Sequence, residues 1–148
     1  INPSHWIQIA TIIEQNYETQ DGFVVLHGSD TMSYTASALS FMLENLAKPV
    51  ILTGSQLPIG DLRTDAKENL ITSIQIAALQ NNHTSVVKEV GLYFEYKLYR
   101  GNRTTKINAE HFQAFASLNF PALVTSGVHL KVNHELLHKN YAHAPDAP

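Results

Sequence analysis

Residues 23 to 35 read FVVLHGSDTMSYT: four apolar residues, Phe23 to Leu26, run straight into His27-Gly28-Ser29-Asp30-Thr31, and a pattern of helical period follows. A run so short and so apolar fits a strand buried on both faces. The hydroxyl and carboxylate side by side at its end need a reason, because a helix start uses one capping side chain.

The same order recurs on either side. Upstream, NPSHWIQIATIIEQNY places Pro3 in a first turn and Trp6, Ile9, Ala10, Ile13 and Tyr17 at helical spacing, which predicts a surface helix with one buried stripe. Downstream, DTMSYTASALSFMLENLA carries no charge between Asp30 and Glu44 and predicts a helix packed hard on a sheet and ended by Pro49. VILT (Val50 to Thr53) is a second strand, and GSQLPIGDLRT is a loop. DAKENLITSIQIAALQ is a helix with Asp65 at its start, and Val90 to Glu95 is a third strand. Strand, helix, strand, helix, strand predicts an α/β fold: a mainly parallel sheet with crossover helices on both faces, a Rossmann-like three-layer sandwich. After Lys97, KLYRGNRTTKINAEHFQAFAS reads as a long polar excursion with one or two helical turns near residues 109–116. The end, GVHLKVNHELLHKNYAHAPDAP, reads as a strand running into a loop or linker.

Composition narrows the function. A length of 148 residues with 44% apolar content suits one globular unit. Ten basic and 13 acidic residues give a formal charge of −3 without a long block of one sign, which argues against nucleic acid and for a small ligand. The absence of cysteine excludes disulfides, thiolate metal sites and a cysteine nucleophile, and fits a reducing compartment. No apolar run reaches the roughly 18 residues of a membrane span, and no segment resembles a signal peptide. The chain reads as a cytoplasmic protein with no membrane partner.

In parallel sheets, ligands sit beyond the carboxyl ends of the strands. Three loops there are rich in hydroxyls, amides and charge: HGSDT, TGSQLP and YRGNRTTK. Gly28 and Gly54 each follow a strand, where a residue without Cβ lets backbone amides approach a ligand, and the helix beginning near Thr31 points a positive dipole end at the same place. Against this stand plainer readings. Ser29 or Asp30 is then only the cap of the next helix, Lys106 a solvated charge, Arg100 and Arg103 structural or solvated, and His27 a satisfied core histidine.

The stretch DGFVVLHGSDTMSYTASALSFMLENLAKPVILTGSQLP closely resembles a conserved block of the bacterial L-asparaginases, most of all the cytoplasmic type I enzymes, and LYRGNRTTK with FQAFASLNFP resembles a further block. The resemblance covers roughly Ile1 to Val132. It implies hydrolysis of L-asparagine to L-aspartate and ammonia without metal or organic cofactor, in an intact enzyme that is a homodimer or homotetramer. Carried over from the family, the catalytic residues are Ser29, Asp30 and Lys106: the hydroxyl places or activates the attacking group, Asp30 holds the substrate's ammonium, and Lys106 assists proton loss. That last role needs a lysine neutral part of the time, since an ammonium has no lone pair. Gly28, Ser29, Asp30, Ser55 and Gln56 are the implied substrate-binding residues.

Two departures from the family pattern stand out. Ser29 replaces the usual threonine, removing the methyl that limits its rotamers. No Thr-Gly-Gly-Thr segment, the family's nucleophile hairpin, occurs in the chain. Residues 1–132 are therefore expected to be most of an N-terminal asparaginase domain lacking its first hairpin, with 133–148 a linker toward an absent C-terminal domain and only part of the active site present.

Two other classes compete. The strand-end loops equally suit a non-catalytic amino-acid-binding α/β domain. His134-Glu135-x-x-His138 matches the zinc metallopeptidase motif, which requires an α-helix to set the two histidines one turn apart. The strand-like VHLKV before it and the short remaining chain predict loop or strand continuation there instead, and no metal.

Overall fold

Asn2 starts the chain's first helix, α1 (Pro3–Asn16): its side chain accepts the Ser4 and His5 amides, and the His5 ring accepts the Asn2 amide in return. Such a reciprocal cap, with Pro3 in the first turn, satisfies donors that a helix start leaves open. The structure, a computed structural model, describes residues 1–106, 115–117 and 120–138. The next elements are β1 (Phe23–Leu26), α2 (Met32–Met42), β2 (Val50–Thr53) and α3 (Ala66–Ala77), then a ribbon of β3 (Gln80–Asn81) and β4 (Thr84–Ser85). They are followed by β5 (Val90–Phe94), β6 (Lys97–Arg100), a 3-10 turn over Gly101–Arg103, β7 (Thr105–Lys106), β8 (Phe115–Ala116), β9 (Val124–Ser126), β10 (Leu130–Val132) and a 3-10 turn over His134–Leu136.

Six strands form one sheet in the order β1-β2-β5-β6-β9-β10. The pairs β1/β2 and β2/β5 are parallel, as the alternating pattern predicts, with Leu26 opposite Thr53 and Thr53 opposite Tyr93. The three strand ends therefore share one rim. The pairs β5/β6, β6/β9 and β9/β10 are antiparallel, so the α/β sheet is mixed.

Alternation along the strands feeds two cores. Val50, Leu52, Val90 and Leu92 pack with Met32, Ala36 and Leu39 of α2 and Ile13 of α1, while Ile51 and Tyr93 pack on the other face with Ile76 of α3. Helices thus cover both faces. Each fully buried aliphatic side chain contributes about 1.5–3 kcal/mol relative to exposure. No helix among the described residues is long and apolar enough to cross a membrane.

Several expectations are corrected. β1 is an edge strand, half-buried, with Leu26 65% exposed, because only β2 flanks it among the described residues. The second helix stops at Met42 and not at Pro49, since Leu43 turns extended, Asn45 takes φ 53° and Leu46 folds into the core. The polar excursion begins with a strand: Lys97–Arg100 returns on β5 through a two-residue turn in which Glu95 and Tyr96 have φ 51° and 69°. The helical turns expected near 109–116 fall mostly outside the described residues; their end, Phe115–Ala116, is a strand paired with Thr105–Lys106.

Candidate active site at the strand ends

Every sequence-assigned site residue belongs to the rim loops or to β7. β1 ends at Leu26, and His27 is tied to the next strand by its amide bond to the Thr53 carbonyl. The His27 ring is enclosed by partners. Its Nδ1 lies 2.7 Å from the Gly28 carbonyl, which only accepts, so Nδ1 carries a proton, and Nε2 lies within hydrogen-bond distance of Thr35 Oγ1 at 2.8 Å. Trp6 Nε1 donates to Thr35 Oγ1 in turn, at 2.9 Å. His27 is a satisfied histidine that steadies the Gly28 peptide. Trp6, read only as part of a buried stripe, completes this chain.

Neither Ser29 nor Asp30 caps α2. Thr31 occupies the cap position, and its side chain makes no capping bond. Asp30 is instead met by Lys106, whose Nζ donates to Oδ1 at 2.6 Å. The lysine is held by local pairing: β7 lies against β8, and the facing Phe115 is buried edge-on against Phe94, with ring centres 4.9 Å apart. Gly101 sets the approach, since a Cβ there would lie 2.7 Å from Ser40 Oγ and 3.0 Å from the Val90 carbonyl oxygen. The Lys106 ammonium holds the Asp30 carboxyl below its ordinary value of 3.8. The Asp30 side chain is 93% exposed and that of Lys106 17%, so a largely covered lysine reaches the rim to meet a carboxylate in water.

Ser29, beside Asp30, is half-buried, and no hydrogen bond engages its hydroxyl among the described residues. The pairing of Lys106 is thus with the carboxylate and not with the hydroxyl. Gly28 is exposed, and a Cβ on it would meet nothing within 4 Å; no packing contact demands glycine there. Gly54 is different, because a Cβ on it would sit 2.1 Å from the His27 carbonyl oxygen. That close approach joins the first two loops.

Ser55 and Gln56 form the second loop. Ser55 Oγ donates to the Leu57 carbonyl at 2.7 Å, so its oxygen is left as an acceptor. Gln56 is exposed. Asp65, expected as the cap of α3, makes no capping bond; its carboxylate accepts the Gln56 and Leu57 amides. Behind the loop, Tyr93 donates to Glu68 at 2.6 Å and is kept protonated by burial and by that carboxylate. Beside Gly28 a groove of about 580 Å³ runs between α1 and β1, lined by Ile9, Ile12, Val25 and Leu26.

At the opposite end of the sheet, the HELLH segment is one 3-10 turn followed by an extended Leu137, not an α-helix. Buried Glu89 holds it: the carboxylate accepts Arg100 Nε at 2.6 Å and the His138 amide at 2.7 Å. Arg100 reaches the Leu136 carbonyl and lies over the Phe120 ring, 4.4 Å from its centre. No cluster of three potential metal-ligating His, Cys, Asp or Glu side chains exists among the described residues.

A parallel β-α-β unit whose strand ends carry a hydroxyl, a carboxylate and a returning lysine is an α/β domain with a candidate site at the strand-end rim. Within that class the relatives are specific. Residues 1–138 match the sequence model of the family described as "Asparaginase, N-terminal". The chain belongs to the asparaginase family. It is 53% identical over 131 residues to L-asparaginase 1 of Escherichia coli K12, covering 88% of this chain and 37% of that protein. It is also 50% identical over 136 residues to the 60 kDa lysophospholipase of Mus musculus, covering 92% of this chain and 23% of the relative. The solved structure of L-asparaginase I from Vibrio cholerae superposes with a TM-score of 0.84 at 47% identity, covering 95% of this chain and 41% of that one. The chain spans less than half the length of these relatives.

Proposed function

We propose that this chain contributes to the hydrolysis of L-asparagine to L-aspartate and ammonia, with Ser29, Asp30 and Lys106 as its catalytic residues. The observation that carries the reading is the Asp30–Lys106 contact, made across 76 positions of sequence beside a Ser29 hydroxyl with no hydrogen-bond partner among the described residues. Neither helix capping nor solvation of a lysine requires it.

The chemistry follows from the charges. Lys106 takes one carboxylate oxygen of Asp30, leaving the other for the α-ammonium of asparagine. A second cation on that carboxylate is a like charge beside Lys106, which favours loss of the lysine proton. The neutral amine then accepts a proton from the hydroxyl at Ser29 or from the attacking group it positions, the attacking oxygen bonds to the amide carbon, the C–N bond breaks as that proton passes to the leaving nitrogen, and water supplies the oxygen of the final carboxylate. Gly28, Ser55 and Gln56 form the substrate wall. Residues 1–132 act as the catalytic-domain portion and 133–148 as a connection. The enzyme is a cytoplasmic homodimer or homotetramer working without metal or organic cofactor.

Ammonia release by the intact enzyme, with L-asparagine and L-glutamine compared at millimolar concentration, tests the reading. Turnover of asparagine is the expected result, and binding without turnover would favour the amino-acid-binding alternative.

A further inference from the structure

We infer that Asp65 is a positioning residue for the candidate site, its carboxylate fixing the peptide wall that carries Ser55 and Gln56. The inference rests on the asparagine-hydrolysing reading above. Both carboxylate oxygens lie 3.1 Å from the Gln56 amide nitrogen, and Oδ1 also accepts the Leu57 amide at 3.3 Å. One helical turn later, Asn69, 1% exposed, donates from Nδ2 to the Gly54 carbonyl at 2.8 Å and to Asp65 Oδ2 at 3.4 Å. The start of α3 therefore grips the Gly54 carbonyl and two successive amides. These groups bracket Ser55 and Gln56.

A residue serving only to begin α3 would turn its side chain toward the helix's own first amides. Asp65 has helical backbone angles, φ −82° and ψ −8°, and turns its carboxylate away from them. Thr64 Oγ1 takes the Ala66 amide in its place, at 3.1 Å. The wall has little else to hold it. Residues 56–63 are all exposed, so no packed core restrains them, and the further ties among the described residues are the Ser55 and Thr64 hydroxyls on the Leu57 carbonyl at 2.7 and 3.0 Å and two backbone turns, from the Asp61 amide to the Pro58 carbonyl and from the Thr64 amide to the Asp61 carbonyl. A wall built this way keeps its position through polar contacts, and loosening it weakens binding contacts that the bound substrate and the transition state share.

The test compares Asp65→Ala and Asp65→Asn in the intact enzyme, with Thr84→Ala as a control. Thr84 makes a comparable local bond to the Asn81 carbonyl in the ribbon beyond the far end of α3. Two readouts are taken: KM and kcat for L-asparagine, and hydrogen exchange of the Gln56 and Leu57 amides. In Asp65→Ala both amides exchange at least about tenfold faster and KM rises about tenfold or more, with kcat changed less than about threefold. Asp65→Asn, which keeps one acceptor oxygen, falls between, and Thr84→Ala moves neither readout. Should Asp65→Ala fail to fold, the same two readouts on Asp65→Asn decide. Unchanged amide exchange, or faster exchange with KM within about twofold of the parent, overturns the positioning role. If Lys106→Met retains full turnover, the catalytic reading itself has failed; the amide exchange still reports separately on Asp65.

Discussion

Lys106 Nζ lies 2.6 Å from Oδ1 of Asp30, two residues 76 positions apart in the chain. One consequence is electrostatic. The ammonium stabilises the ionised carboxylate, so the Asp30 carboxyl titrates below 3.8, and the pair's contribution to folding is present above that pH and fades as pH falls through the lowered value. A carbon-detected NMR titration should place the Asp30 midpoint below 3.8 and return it toward that value in Lys106→Met. A midpoint at or above 3.8 in the parent would remove the ion pair from the account.

The joint between the first two loops supplies a second prediction. Because a Cβ on Gly54 would stand 2.1 Å from the His27 carbonyl oxygen, Gly54→Ala has to push the ends of β1 and β2 apart. Backbone offers no rotamer escape, so thermal or denaturant unfolding should show a loss of about 1–3 kcal/mol or more. Gly28→Ala, with open space at the same atom, should leave stability within about 0.5 kcal/mol. Equal losses at the two glycines would contradict the geometry.

How far the sequence discloses this arrangement differs from element to element. The stripe of α1, the strands VILT and VGLYF, and α3 all follow from apolar spacing, because each buries a face whose period the sequence repeats. The β5–β6 hairpin does not announce itself. Its turn uses Glu95 and Tyr96 in left-handed conformations that usually call for Asn or Gly, so tertiary pairing overrides local preference. Asp65 is legible as a residue at a helix start, but spacing gives no indication that its carboxylate turns back to the preceding loop. Nor does any local pattern join Asp30 to Lys106; the grouping of Ser29, Asp30 and Lys106 rests on family likeness, and the folded chain displays the contact.

The far rim provides an independent check. Glu89, 4% exposed, is matched by Arg100, and together they fasten the HELLH turn to the sheet. Glu89→Ala leaves Arg100 as an unmatched, largely buried cation and should cost about 3–5 kcal/mol in chemical denaturation. With no helix to set His134 and His138 one turn apart, zinc should leave both the unfolding midpoint and the circular dichroism unchanged. A zinc-dependent gain in helix or stability would revive the metallopeptidase reading.

The measurement that bears most directly on the catalytic assignment is the turnover of L-asparagine by the Lys106→Met enzyme under saturating substrate, with circular dichroism and unfolding midpoint recorded on the same sample. Methionine keeps the length and apolar stem of the side chain and removes the amine. The pair it breaks has its carboxylate in water, where such a contact adds little to stability, so folding stays close to the parent's. If Lys106 moves a proton in the reaction, kcat falls by on the order of a hundredfold to ten-thousandfold. A well-folded Lys106→Met enzyme with kcat within about threefold of the parent would contradict the assignment and leave the contact with Asp30 a surface ion pair.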